Sequence, residues 1–358
     1  MKSWQGYCLT EASVNSALPD FVRPGETVFD VGSSVGDLSS MMSRLVGPFG
    51  KVVAFEANPN TAARAVDNFV ANGLFNIFMV NRAIETVSQR RVTLHLSGPT
   101  GGVSDSLFAQ PWNAGGGKAE IQSLALDDFI EGFGIEPSFI KFDIEGAETL
   151  ALHGLQRYLT RKKPIIILEQ SPESFTAIEI MGQHGYRCVD LHNYRILQSV
   201  KDYPTDCISV RNVACLHPDT IRWELRSYFE NRMTQFGVYG NDDIAWTERD
   251  AKFPQIHLQP GRYILDARLE PRDGTLAIYF GVRDGEGTFL VLAHAVAGHF
   301  SGGRVELPFH IDEAQFVQPT IASTAEFAIS EAVSGAAIVL HHVEGFGQRR
   351  LAQTVLGR

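Results

Sequence analysis

Short apolar runs alternate with amphipathic stretches through the first 215 residues. Runs near 27–31, 52–56, 77–80, 139–143, 164–169, 186–191 and 207–213 read as strands. After the first of them, Leu38, Met41, Met42 and Leu45 recur at helical steps. After the second, Ala62, Ala65, Val66, Phe69 and Val70 fall on one helical face. That second helix has Asn58 as N-cap, Pro59 at its first position and Gly73 where a C-cap glycine belongs. Strand and helix in alternation predict a mostly parallel sheet with helices on both faces. The last two runs, YRCVDL and CISVRNV, are too close for an intervening helix, so they predict an antiparallel pair at one edge.

Two stretches depart from this alternation. Residues 97–120, SGPTGGVSDSLFAQPWNAGGGKAE, are too polar and too rich in glycine for a helix and too long for a plain connection. They predict a loop over the ligand side of the sheet, a lid or a surface insertion. After His217 the texture changes. Residues 219–235 read as a connecting helix, and from about Ile244 short β runs are split by Gly and Pro, with a hairpin signal in RDGEGT (283–288). The expected division is an α/β domain over 1–217, a helical connector over 218–243 and an all-β sandwich or jelly roll over 244–358. A chain of 358 residues exceeds what one core usually fills.

The chemistry concentrates in VFDVGSSVGD (28–37), a strand ending at Asp30, a glycine-bearing turn and a helix start. Such a turn lets a nucleotide-like ligand lie against bare backbone. Only Gly32 and Gly36 are present, not the G-x-G-x-x-G that a dinucleotide pyrophosphate requires. Asp30 suits a cationic ligand better than a phosphate. The second strand ends in Glu56, and a carboxylate there can accept hydrogen bonds from both vicinal hydroxyls of a ribose. Together they point to an S-adenosylmethionine site. At the end of the fourth strand stand Asp143, Glu145 and Glu148. Glu148 fits the first turn of a helix, where acids are favoured. Asp143 is a cofactor or substrate contact, a base or metal ligand, or a structural acid. Glu169 ends the fifth strand and either faces the crevice or precedes a helix begun at Ser171-Pro172. His192 follows the sixth strand near the expected substrate side, where a structural histidine is the favoured reading and a catalytic one the alternative. A divalent metal would need convergent oxygens. Asp143, Glu145 and Glu169 could supply them, but no Asp-Asp or Asp-Asn pair adjoins, so metal is not favoured.

The net charge of −10 removes nucleic acid as an expected partner, since phosphate binding needs a basic face. From Phe236 onward there are 15 acidic and 10 basic residues, so acidity is spread over both halves. Cys8, Cys188, Cys207 and Cys215 lack zinc spacing and read as free thiols. The first residues carry no basic start followed by an apolar run, and no apolar stretch is long enough to span a bilayer, so the expected location is the cytoplasm.

The ordered segments FDVGSSVG (29–36), VVAFEANP (52–59), SLALDDF (123–129), FIKFDIEGAE (139–148), PIIILEQ (164–170) and CISVRNV (207–213) resemble the FkbM family of S-adenosylmethionine-dependent methyltransferases over roughly residues 20–215. FIKFDIEGAE is the most specific. The family usually has Asn where this chain has Ser34. The resemblance implies a Rossmann-like class I methyltransferase sheet and O-methylation of a hydroxyl on a sugar, polysaccharide or polyketide-like metabolite. The cofactor-binding set expected is Asp30, Gly32, Ser33, Gly36, Glu56, Ala57, Asn81, Ala83 and Asp143. The catalytic candidates are Asp143, Glu169 and His192. The rival from another class is a non-catalytic methyltransferase-like fold that serves with the β domain in carbohydrate binding. An NAD(P)-dependent oxidoreductase is disfavoured by the missing third glycine.

Overall fold

The computed structural model describes residues 11–99, 101–102, 104–171, 174–204, 210–230, 232–272, 277–296, 304–323 and 327–344. In the first unit the strands are β1 (Thr27–Val31), β2 (Lys51–Phe55), β3 (Ile77–Val80), β4 (Ala83–Ile84), β5 (Arg91–His95), β6 (Lys118–Leu124), β7 (Phe139–Phe142), β8 (Ile165–Gln170), β9 (Arg187–Asp190), β10 (Ile196–Leu197) and β11 (Arg211–Leu216). Eight of them form one sheet in the order β10-β9-β11-β8-β7-β1-β2-β3. Strands β1, β2, β3, β7 and β8 pair in parallel, whereas β11 is antiparallel to both β8 and β9. The expected antiparallel pair is therefore present, with β11 inserted between β8 and β9. Residues 207–209 of the expected run lie outside the described residues.

Period-two alternation assigns each strand residue to a face. Phe29, Val53, Ile140, Phe142, Ile166, Leu168 and Val213 share a core with Leu126, Phe129, Leu152 and Leu155. Val28, Val52, Phe139, Ile167 and Ala214 share the opposite core with the helices Ala12–Phe21 and Asp37–Val46. Asn58 caps the helix Pro59–Ala71 by accepting the N–H of Asn60 at 2.9 Å, and Gly73 sits at φ +67 beyond its end. Ala62, Ala65 and Phe69 of that helix are buried, but Val66 and Val70 are exposed. The helix packs on the edge of the sheet, which covers a narrower stripe than its apolar sequence face.

The second unit holds β12 (Arg232–Tyr239), β13 (Ala245–Trp246), β14 (Asp250–Lys252), β15 (Ile256–Leu258), β16 (Gly261–Pro271), β17 (Ala277–Asp284), β18 (Phe289–Val296), β19 (Arg304–Ile311), β20 (Gln315–Ser323) and β21 (Val333–Glu344). They form two antiparallel sheets, β12-β21-β16-β19 and β13-β14-β20-β17-β18 with β15 on β20. Leu265, Ala267, Val305 and Leu307 of the first sheet pack with Ile278, Phe280 and Ile321 of the second. The hairpin expected at 283–288 joins β17 to β18, closed by the Asp284 N–H to the Thr288 carbonyl. The connecting helix expected over 219–235 is replaced by a helical turn over Trp223–Glu230, followed by β12, which pairs with β21. Tyr228 is buried against the first unit while β12 completes a sheet, and that pairing outweighs the helical pattern.

Within the four-stranded sheet, β16 over Arg262–Leu265 and β19 over Val305–Phe309 are buried on both faces, whereas β12 exposes Met233, Phe236 and Val238. Residues alternate with the core set: Ile264 joins the core around Leu18, Val28 and Tyr228. Arg262 pairs with Asp20 and donates to the Tyr228 hydroxyl at 2.8 Å. Glu306 accepts from Arg211 at 2.5 Å and from Asn193 at 3.0 Å, and Arg211 also pairs with Asp190 at 2.7 Å. Cys188 and Cys215 are buried free thiols on paired strands, while Cys8 and Cys207 lie outside the described residues.

Candidate functional site

A cleft of about 410 Å³ opens at the carboxyl ends of β1, β2, β7 and β8, where open α/β sheets take ligands. Its floor begins at the turn after β1. Gly32 has φ +88, and a Cβ there would stand 1.7 Å from the Asp143 carbonyl oxygen. Glycine is therefore required by close approach to the end of β7 as much as by conformation. The N–H groups of Gly32 and Ser33 both donate to the Phe55 carbonyl, at 2.9 and 3.0 Å. Ser34 lies in the left-handed region at φ 49, where Asn is more at ease than Ser.

Glu56 bridges the two halves of this turn. One carboxylate oxygen accepts the Ser34 N–H at 2.9 Å and the other the Asn58 N–H at 2.8 Å. Each oxygen keeps a second lone pair for a ligand. Burial raises the Glu56 pKa to about 7, against the two amide hydrogen bonds, which lower it. Asn81 braces the same segment by donating to the Glu56 and Ala57 carbonyls at 2.8 and 3.0 Å. Part of the 97–120 loop reaches the cleft through Gly102, Asp105 and Leu107. Asp105 ties the loop down, accepting from Ser97 and Gly102 on one oxygen and from Asn58 Nδ2 at 2.7 Å on the other.

The opposite end is acidic. Alternation places Asp30, Lys141 and Glu169 on one face, each beyond an apolar residue of its strand: Val28, Phe139 and Ile167. Lys141 is buried, and its Nζ lies 2.7 Å from Asp143 and 3.5 Å from Glu11. Burial opposes its charge, but Asp143, Glu11 and Asp30 together raise its pKa. Desolvation raises Asp30, Glu169, Glu11 and Glu145, the last two to about 7. Asp30 Oδ2 accepts from Ser39 at 2.5 Å, while Asp30 Oδ1 and Ser33 Oγ are buried with no hydrogen-bond partner among the described residues. Unsatisfied polar atoms in a cleft call for a polar ligand.

Of the residues expected from sequence, Asp30, Gly32, Ser33, Glu56, Ala57, Ala83, Asp143 and Glu169 all line the cleft. Three others sit elsewhere. Gly36 sits at the start of the helix Asp37–Val46, where a Cβ would meet the Phe69 ring at 2.2 Å. Asn81 acts through the backbone it braces. His192 turns away: its Nε2 accepts the Asn212 N–H at 3.3 Å, and burial and the Arg211 guanidinium hold its pKa well below the usual range. Glu169 belongs to β8, and the following helix starts only at Thr176, so it does not serve that helix end. Glu148 stands in the first turn of its own helix, as expected, and accepts the Ile144 N–H of the preceding turn at 3.0 Å. Among the described residues no group of His, Cys, Asp and Glu is arranged to hold a metal ion.

Sequence reasoning missed Lys141 and Glu11. Lys141 was legible as the one charge inside the apolar run FIKF, and a lysine there needs a buried counter-ion. Glu11 carries no such signal, since only the packing of the helix Ala12–Phe21 brings it to the cleft.

The family described as "Methyltransferase FkbM domain" matches residues 30–188. No curated protein matches the chain. Similar solved structures include the methyltransferase FkbM of Methylobacillus flagellatus KT, at 15% identity over 60% of this chain and 57% of that one, with a TM-score of 0.34. Another is precorrin-6y C5,15-methyltransferase of Geobacter metallireducens GS-15, at 15% identity over 56% and 85%, TM-score 0.33. A third is Aeropyrum pernix fibrillarin with natively bound S-adenosyl-L-methionine, at 12% identity over 55% and 68%, TM-score 0.34.

Proposed function

With residues 30–188 carrying a methyltransferase FkbM domain, we propose that the protein transfers a methyl group from S-adenosyl-L-methionine to a hydroxyl of a sugar, polysaccharide or polyketide-like metabolite. The supporting observation is the cleft in which the Gly32 turn, the Glu56 carboxylate and the acidic floor of Asp30, Asp143 and Glu169 meet. The residues fit the cofactor: Glu56 retains acceptor capacity for hydroxyls, and Asp30 Oδ1 and Ser33 Oγ offer unsatisfied buried atoms. When bound, the cofactor supplies an electrophilic methyl on a sulfonium. The chain's own residues hold it and manage the acceptor's proton. Asp143 is tied to Lys141, which fixes its orientation. Glu145, its pKa pushed up to about 7 by burial, is a better proton acceptor near neutrality than an ordinary carboxylate.

The domain division 1–217, 218–243 and 244–358 belongs to the same proposal, with β12 joining the sheets of the last domain. We read its two sheets as a β sandwich that positions the acceptor, and the 97–120 loop as a lid. Oxygen as the methylated atom rests on the family alone. Thermal shift with S-adenosylhomocysteine and NAD side by side tests the assignment. The by-product raises the melting temperature and NAD does not, since a ligand that prefers the native state must stabilise it. No shift at about millimolar by-product would sink it.

A further inference from the structure

We propose that the cleft distinguishes the sulfonium donor from its neutral thioether by-product by releasing protons from the carboxylates around Lys141, with Glu11 and Glu169 as the specificity-determining residues. The proposal rests on the methyltransferase function above. Eight carboxylates, Glu11, Asp30, Asp37, Glu56, Asp105, Asp143, Glu145 and Glu169, line the cleft against two cations, Arg82 and Lys141. Five of the eight crowd its acidic end with Lys141 alone. Lys141 meets Asp143 at 2.7 Å and Glu11 at 3.5 Å, with Asp30 on the neighbouring strand in register. Asp30 is buried and its Oδ1 accepts no hydrogen bond among the described residues.

One ammonium does not neutralise five carboxylates crowded into one end of a cleft, of which Asp30 is buried and the other four are partly exposed. Such a cluster lowers its energy by holding protons, shared among its members. The upward displacement of Glu11, Glu145, Glu169 and Asp30 agrees with that count. A ligand bearing a positive sulfonium favours the ionised cluster and expels a held proton. The thioether carries no such charge and leaves the proton in place. Both molecules have the same amino and carboxyl groups, so the ratio of their dissociation constants isolates the sulfonium.

The test is calorimetric titration of S-adenosylmethionine and of S-adenosylhomocysteine, each in two buffers of different ionisation heat. Near neutrality the native protein releases more protons on binding the donor than on binding the by-product. The dissociation-constant ratio, by-product over donor, rises about tenfold from about pH 6 to about pH 8.5, the effect of a one-unit displacement on one group. Glu11→Gln and Glu169→Gln each weaken the donor more than the by-product and flatten that rise. Each exchanges a proton-holding acid for a neutral isostere, and if one variant fails to fold the other decides. Equal proton counts for both ligands, or a ratio flat with pH in the native protein, overturns the inference while leaving the methyltransferase assignment standing. A native protein that binds neither ligand overturns both.

Discussion

At the scale of single residues, the glycine turn and the acidic strand ends were readable because each obeys a local rule. Gly32 illustrates how far that reading went. Sequence pointed to a backbone that a ligand must approach, and the structure adds a nearer constraint, the Asp143 carbonyl 1.7 Å from any Cβ. Gly32→Ala is expected to cost about 1–3 kcal/mol from its positive φ alone, and more through displacement of the end of β7. A lowered denaturant midpoint together with weakened S-adenosylhomocysteine binding checks this, and an unchanged midpoint contradicts it. The ring of His192 turns from the cleft, the structural rather than the catalytic alternative, and its place after a strand does not announce that direction. That direction is set by the Asn212 N–H and by the Arg211 cluster, both distant in sequence.

At the scale of elements, alternation on β1, β7 and β8 carries the site. The same face that buries Val28, Phe139 and Ile167 ends in Asp30, Lys141 and Glu169, so each strand runs from core to chemistry in two steps. Seven of the eight strands of the main sheet were legible from periodicity, whereas the short β10 and the separate β4-β6-β5 sheet, whose β6 begins inside the expected 97–120 loop, were not. The stretch 219–235 was not, because a short turn and an edge strand share its mixed polar pattern, and pairing with β21 decides. The alternation on β19 is equally informative. Val305, Leu307 and Phe309 face the core between the two sheets, while Glu306 faces Arg211 of β11. Glu306→Ala leaves that buried guanidinium with Asp190 alone and is expected to destabilise by about 3–5 kcal/mol, as for breaking a buried pair. Chemical denaturation measures it, and a loss under about 1 kcal/mol, typical of an exposed pair, would place Arg211 in contact with water.

At the scale of the whole molecule, the two units share a buried face. Ile264, Arg262 and Glu306 complete the surroundings of Tyr228, Asp20 and Arg211, contacts that no local pattern announces. Acidity also acts globally. Burial raises the folded-state pKa of Glu11, Glu56 and Glu145 from 4.5 to about 7, so the folded chain keeps protons that the unfolded chain releases. Their contribution is fully present at low pH and is lost as pH rises through about 7. His192 and His217, depressed below 6.5, act with the opposite sign, but only below that pH. The melting temperature of the ligand-free protein should therefore fall from about pH 6.5 to about pH 8, with a shallower slope in Glu56→Gln; a rising melting temperature there contradicts the buried-proton account. The central claim, a cleft built for S-adenosylmethionine, is tested most directly by calorimetric titration of S-adenosylhomocysteine into the native protein and Glu56→Ala, with NAD as the control ligand. The account predicts one site per chain, no binding of NAD, and a loss of about 1.5–3 kcal/mol on removing the carboxylate. Equal affinity in native protein and variant, or binding of NAD in place of the by-product, would contradict it.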